Sequence, residues 1–257
     1  MMSTVESRFR ITKPVYRFSS EKILLYGAQK IGKTQITQFL SEKMGFIAAE
    51  HGDGKIATLS NRISGWEDFI LSMKTIKNEP IDMVAIDTIS ALWYMFIDWF
   101  LKANGIQHEQ DIAWGVGRDR LIREFVLPIN ELQRCGKGVI IIAHEKQSEE
   151  NGKIVIRPSL PTDKNNQIRD AILAMVDSIW YMRYKSKIEK GETTKIRELR
   201  TKGDPQYVAG GRYNMDDPIE LVTDDPKASA ELILAAYKRT ADAATEATKP
   251  IQKELIK

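Results

Sequence analysis

Residues 27–34 read Gly27-Ala28-Gln29-Lys30-Ile31-Gly32-Lys33-Thr34, a full match to G-x-x-x-x-G-K-[ST]. In that pattern the glycines let the backbone turn its N–H groups onto a phosphate chain. A helix starting at the end of the loop adds positive potential. Lys33 then reaches the β- and γ-phosphates, and the Thr34 hydroxyl holds Mg²⁺. The chemistry needs a strand before the loop and a helix growing out of it. Both are legible. Residues 22–26 (KILLY) are a short apolar run closed by Gly27, which reads as a buried strand. Over 34–43, Ile36, Phe39 and Leu40 fall on one helical face. A glycine-bearing turn with no ligand is the alternative.

Outward from the loop the same alternation continues. Residues 46–49 (FIAA), 83–86 (MVAI) and 139–143 (VIIIA) are apolar strands, and 66–76, 89–101 and 118–133 carry helical spacing, with Pro128 a possible kink in the last. Wholly apolar strands alternating with helices predict an α/β fold. Its central sheet is mostly parallel, with helices on both faces. Beyond residue 144 the texture changes. Residues 145–166 are polar and read as a long loop with a short strand at 153–156. Residues 168–175 look helical. Residues 178–184 and 195–201 read as a C-terminal antiparallel hairpin turning near Gly191, and 228–247 as an Ala-rich helix. The division expected is an extended lead-in over 1–20, a core over 21–226, and a helix within 227–257 packed on the core or on a partner.

Composition excludes several classes. Of 257 residues, 42% are hydrophobic and 28% charged, so disorder is not the main state. Cys135 is the single cysteine, which rules out an intramolecular disulfide and a cysteine zinc cluster. The longest apolar candidate, 89–101, is interrupted by Asp98, and 1–10 is polar. Neither a membrane span nor a signal peptide is expected, and the cytoplasm is the expected compartment. The net charge of +3 is too weak, taken over the whole chain, to argue for nucleic acid.

Three polar residues close apolar strands. Asp87 ends the 83–86 run, at the sheet edge where ligands of such folds bind, and is the candidate to hold Mg²⁺ through water; a helix N-cap is the alternative. Glu50 ends the 46–49 run and is a candidate to orient or deprotonate an attacking water. His144 ends the 139–143 run and is a candidate to sense the γ-phosphate and move the segment after it. A surface acid and a structural histidine are the alternatives for these two.

Taken in order, these residues resemble the RecA/RadA branch of P-loop ATPases. The segment 46–51 (FIAAEH) resembles the one carrying the catalytic glutamate in RecA, and 139–144 resembles a RadA-type strand ending in a sensor histidine. Residues 175–181 (MVDSIWY) resemble the strand after the DNA-binding loop. The overall look is that of compact, mostly phage-encoded RecA-like ATPases that promote single-strand annealing. The parallels include Ala113-Trp114-Gly115 and the strand end at 199–203 (LRTKG), and the likeness covers roughly 20–215. It implies ATP and Mg²⁺ as cofactors. It also implies a homo-oligomer, ring or filament, whose sites are completed in trans, alongside other recombination or replication proteins in a bacterial host cell, with a phage as the source. Arg200 and Lys202 are the candidates for the trans residue, with Arg212 in reserve; the K-N-R-F-G motif of RadA is absent.

Charge placement bears on DNA. Between Arg183 and Lys202 there are eight basic residues and three acids, a local excess larger than the whole chain's. Basic and aromatic residues also interleave in Trp180-Tyr181-Met182-Arg183-Tyr184-Lys185, the combination that single-strand binding uses. The resemblance adds the 145–166 segment. The candidates are Lys146, Lys153, Arg157, Lys164, Arg183 and Lys185; Trp180 and the tryptophans at 66, 93, 99 and 114 are expected to pack in the core. The reading is an ATP-hydrolysing RecA-like protein acting on single-stranded DNA in recombination or annealing. A nucleotide-gated regulator without DNA and a small-molecule kinase remain the alternatives.

Overall fold

The computed structural model describes residues 16–50, 54, 56–113, 116–162, 166–189 and 192–255. In chain order the elements are β1 (Lys22–Gly27), α1 (Lys33–Thr37), β2 (Met44–Ala48), β3 (Leu59–Arg62), α2 (Trp66–Thr75), β4 (Met83–Asp87), α3 (Ile89–Asn104) and α4 (Val116–Arg134). There follow β5 (Gly138–Glu150), β6 (Lys153–Pro158), α5 (Gln167–Met175), β7 (Ser178–Glu189), β8 (Glu192–Arg200), β9 (Gly210–Gly211), β10 (Ile219–Leu221) and α6 (Pro226–Leu255). The sheet runs β10-β8-β7-β1-β5-β4-β2-β3, with β6 beside β5 and β9 beside β7. Neighbours from β7 through β3 pair in parallel; β6, β8, β9 and β10 pair antiparallel. The expected α/β architecture is therefore present, hairpin included.

Strand alternation explains the layers. Leu24 and Tyr26 face one hydrophobic cluster with residues of α2, α3, α4 and α5, whereas Ile23 and Leu25 face a second with α1 and α6. Trp66 and Trp93 ring Phe96 and Phe125 in the first cluster, and Trp180 is buried in the second. These tryptophans are packing residues, as expected; Trp114 lies outside the described residues. On the second face Ala230, Ile233, Ala236 and Tyr237 of α6 are buried, and the Tyr237 hydroxyl donates to Glu21 Oε1 at 2.5 Å. Leu232 of the same helix is exposed.

Two local expectations need correction, and one strand went unread. The helix after the loop spans only 5 residues. Beyond it the chain tightens into i→i−3 turns, Phe39 N to Ile36 O and Leu40 N to Thr37 O, which rotates Phe39 into solvent while Leu40 stays buried. The segment after His144 is not a loop. β5 continues to Glu150 and pairs with β6 from Glu145↔Pro158 to Glu150↔Lys153, forming a two-stranded arm. The short strand expected at 153–156 is present within β6; what no apolar alternation announced is the largely polar continuation of β5 beyond His144. β3 went unread because all four of its residues are exposed. Pro128 lies inside α4, so the expected helix runs through it. The expected hairpin turn at Gly191 and the lead-in through residue 15 fall outside the described residues.

Candidate nucleotide site

The strand order sets the geometry. β5 lies between β1, which leads into the 27–34 loop, and β4, which ends in Asp87. In register, Gly27 pairs with His144, and Asp87 pairs with Ala48 and Ile142. The loop, Glu50, Asp87 and His144 thus meet at the C-terminal edge of the parallel strands. They line a single cavity of about 580 Å³, with Gln29, Lys30, Gly32, Lys33, Thr34, Gln35 and Ile56 as the other walls. That volume suits a nucleotide-sized ligand, since small-molecule sites span roughly 300–1,000 Å³.

Two glycines make the loop possible. A Cβ on Gly27 would stand 2.2 Å from the carbonyl oxygen of Met182, so β1 and β7 approach too closely there for any side chain. Gly32 adopts φ +101°, in the left-handed region that favours glycine. The first turn of α1 then offers N–H groups with no carbonyl four residues back. Lys33 is buried and donates to the Gly27 and Ala28 carbonyls, each at 2.8 Å, so its ammonium is held inside the loop. Burial lowers its pKa to about 8, against an upward pull from Asp87, Glu145 and Glu50.

The acids meet their partners directly. The Thr34 hydroxyl donates to Asp87 Oδ2 at 2.6 Å. Burial pushes the Asp87 carboxyl above its ordinary range, and the Thr34 bond and the Lys33 charge only partly oppose this. A desolvated carboxylate beside a hydroxyl is a hard-oxygen donor set short of positive charge, which fits a divalent cation such as Mg²⁺. Thr88 Oγ1 donates to Glu50 Oε1 at 2.5 Å. The same Glu50 oxygen lies 3.5 Å from His144 Nε2, while His144 Nδ1 is buried with no hydrogen-bond partner. Thr88 was missed in the sequence; its only signal was its place directly after the strand-end acid.

The remaining candidates divide. Arg200 is bound by Asp217, at 2.7 Å, and by buried Glu198, and Arg212 pairs with Asp177 at 2.9 Å. Lys202 is exposed, and no ion pair of its ammonium occurs among the described residues. Of the expected DNA contacts, Arg183 donates to Glu198 at 2.7 Å and Arg157 pairs with Glu150 at 2.7 Å. Lys185 stands 3.9 Å from Glu198 and remains exposed, as do Lys146 and Lys153. Lys164 lies outside the described residues. Glu198, which is fully buried, therefore gathers much of the local basic excess. Both β5–β6 and β7–β8 run past Gly27 as two-stranded arms, so the exposed lysines stand on the loop's edge of the sheet.

The AAA domain family (AAA_24) matches residues 19–213. Among solved structures, a KaiC-like protein from the hyperthermophilic archaeon Pyrococcus horikoshii OT3 aligns over 82% of this chain and 88% of its own, at 13% identity and a TM-score of 0.43. No curated protein matches the sequence. Among the described residues, no helix is long and apolar enough to cross a membrane.

Proposed function

The chain belongs to the AAA domain family, and from this premise, with its phosphate-binding loop, we propose that it is a RecA-like P-loop ATPase that hydrolyses ATP and acts on single-stranded DNA as a homo-oligomer. The observation that carries the catalytic part is the convergence of Lys33, Thr34, Asp87, Glu50 and His144 on one cavity. The 27–34 backbone and the Lys33 ammonium bind the phosphates. Thr34 and Asp87 would hold Mg²⁺, which when bound neutralises phosphate charge. Glu50, oriented by Thr88, accepts the proton of the attacking water. His144 stands beside Glu50 at the root of the β5–β6 arm, so a change at the phosphates has a short route to that arm.

The DNA part rests on the arms. Lys146, Lys153 and Lys185 are exposed on the same sheet edge, and Lys195 stands 4.2 Å over the ring of partly exposed Tyr184, a cation beside a stacking surface. Completion of the site by a neighbour falls to Lys202, because Arg200 and Arg212 are already paired within the chain. Fluorescence anisotropy with a labelled oligonucleotide, at two salt concentrations and with ATP, tests this reading. Salt-sensitive binding that weakens in Lys146→Ala and Lys185→Ala is expected. A second reading, a nucleotide-gated regulator that docks a protein partner, is favoured by the internal pairing of Arg157 and Arg183. Absence of oligonucleotide binding at low salt would select it. A small-molecule kinase would transfer phosphate to an acceptor; release of free phosphate is expected instead.

A further inference from the structure

One buried cation takes no part in the site as described. Arg197, on β8, is only 7% exposed, yet its Nε and Nη1 are buried with no hydrogen-bond partner. Such orphaned groups are rare in folded proteins, and a desolvated guanidinium is a demanding one. No carboxylate among the described residues answers it. Its neighbour Glu198 points to the opposite face, as successive strand residues do, and is engaged there by Arg183, Lys185 and Arg200. Among the described residues its aromatic cover is Tyr184, whose ring centroid lies 5.9 Å from the Arg197 guanidinium carbon.

What Arg197 does touch is the loop. Its Nη1 lies 2.9 Å, and its Cζ 3.3 Å, from the position that a Cβ on Gly32 would take. Arg197 does not itself line the cavity; Gly32, against which it packs, does. A buried cation whose Nε and Nη1 are unpaired, packed on the loop that would hold a phosphate chain, is short of an anion.

We propose that Arg197 is a nucleotide-binding residue acting in cis, its guanidinium pairing with the phosphate chain of a nucleotide held by residues 27–34. The proposal rests on the nucleotide site described above. It differs from the trans role assigned to Lys202, because Arg197 serves the loop of its own chain. Arginine suits the task, since its planar fork forms charge-assisted bonds to phosphate and its charge is never lost by deprotonation. In the free protein the unpaired cation is a burden on the fold; bound nucleotide relieves it.

The test compares wild type, Arg197→Met, Arg197→Lys and Lys33→Ala. ADP and ATP binding is measured by calorimetry, and unfolding midpoints are measured with and without nucleotide. Arg197→Met is expected to raise the midpoint of the free protein, because an apolar side chain of similar length replaces an unpaired buried charge. It is also expected to weaken nucleotide binding by roughly ten- to a hundred-fold, with a smaller nucleotide-induced midpoint shift. Arg197→Lys should bind nucleotide more tightly than Arg197→Met. Unchanged nucleotide affinity in Arg197→Met, with Lys33→Ala impaired, would overturn the proposal and leave the nucleotide site standing. A lower free-protein midpoint with unchanged affinity would likewise overturn it, by making Arg197 a structural residue. No nucleotide binding by the wild type would overturn both.

Discussion

The Thr88 hydroxyl donates to Glu50 Oε1 at 2.5 Å, and that same oxygen lies 3.5 Å from Nε2 of His144. One atom of the candidate base is therefore shared between a residue that positions it and a residue at the root of the β5–β6 arm. Thr88 also caps α3, its side chain accepting from Ala91 N. Replacing it with valine keeps the shape and removes the hydroxyl. Thr88→Val is expected to lower kcat by roughly ten-fold or more, with KM little changed, because the carboxylate loses its orientation. Loss of the cap adds about 1 kcal/mol of destabilisation. Steady-state kinetics check this, and Thr88→Ser should restore turnover.

Lys33 sets a pH dependence. Burial depresses its ammonium to about 8. Between that value and the higher one of the unfolded chain, the folded protein binds fewer protons than the unfolded one, so this group's contribution to stability rises with pH there. Nucleotide binding runs the other way. Phosphate favours the charged form, so above about pH 8 binding must take up a proton. Affinity for ADP is expected to fall as pH rises through about 8, and to change little between about 7 and 7.5. Calorimetry at about pH 8.5 in two buffers of different ionisation enthalpy measures the proton taken up. A dissociation constant that is flat from about pH 7 to 9 would contradict the assignment.

Lys202 is exposed and Arg200 is bound by Asp217 and Glu198, so the completing charge is expected from Lys202. Lys202→Ala should reduce turnover and leave nucleotide affinity within about two-fold of wild type, the outcome for an interaction made only in the transition state. Mixing inactive Lys33→Ala with Lys202→Ala should then recover activity. In the mixture some intact loops of the second variant face an intact Lys202 from the first. A phosphate-release assay across mixing ratios reads it out, and no recovery at any ratio would remove Lys202 from that role.

Phe125 is fully buried against Trp66, Trp93 and Phe96. Phe125→Ala is expected to cost about 3–5 kcal/mol, since a cavity opens where rings now interlock. Denaturant unfolding measures it. Phe39→Ala, at an exposed position in the turn after α1, should change stability by less than about 1 kcal/mol.

Some of this was legible residue by residue. The 27–34 loop, the strand-end acids Glu50 and Asp87, and the strand-end His144 could be placed in advance, because an apolar run ending in a polar residue marks one end of a buried parallel strand. Thr88 could not be ranked, because its importance lies in an oxygen on another strand. The strand at 153–156 was anticipated, but the continuation of β5 beyond His144 was hidden because its pairing is made by backbone groups while its side chains are polar and largely in solvent. Local spacing also misplaced Phe39, where two tightened turns take the chain out of the α-helical period.

The basic run from Arg183 to Lys202 marks the limit most clearly. Counting charges located an excess, and alternation said that neighbours point to opposite faces. Which face meets what was settled only when β8 lay beside β7. Glu198 then gathered Arg183 and Arg200 on one side, and on the other Arg197 was buried against Gly32 with its Nε and Nη1 unpaired. The sequence by itself determined the alternating fold, the phosphate loop and the acids around it, because these follow from local periodicity and from motifs contiguous in the chain. Only the tertiary structure decided which cations are spent in ion pairs and which are not. A charge's partner is set by distance and desolvation across strands far apart in sequence, and neither is encoded in any local pattern.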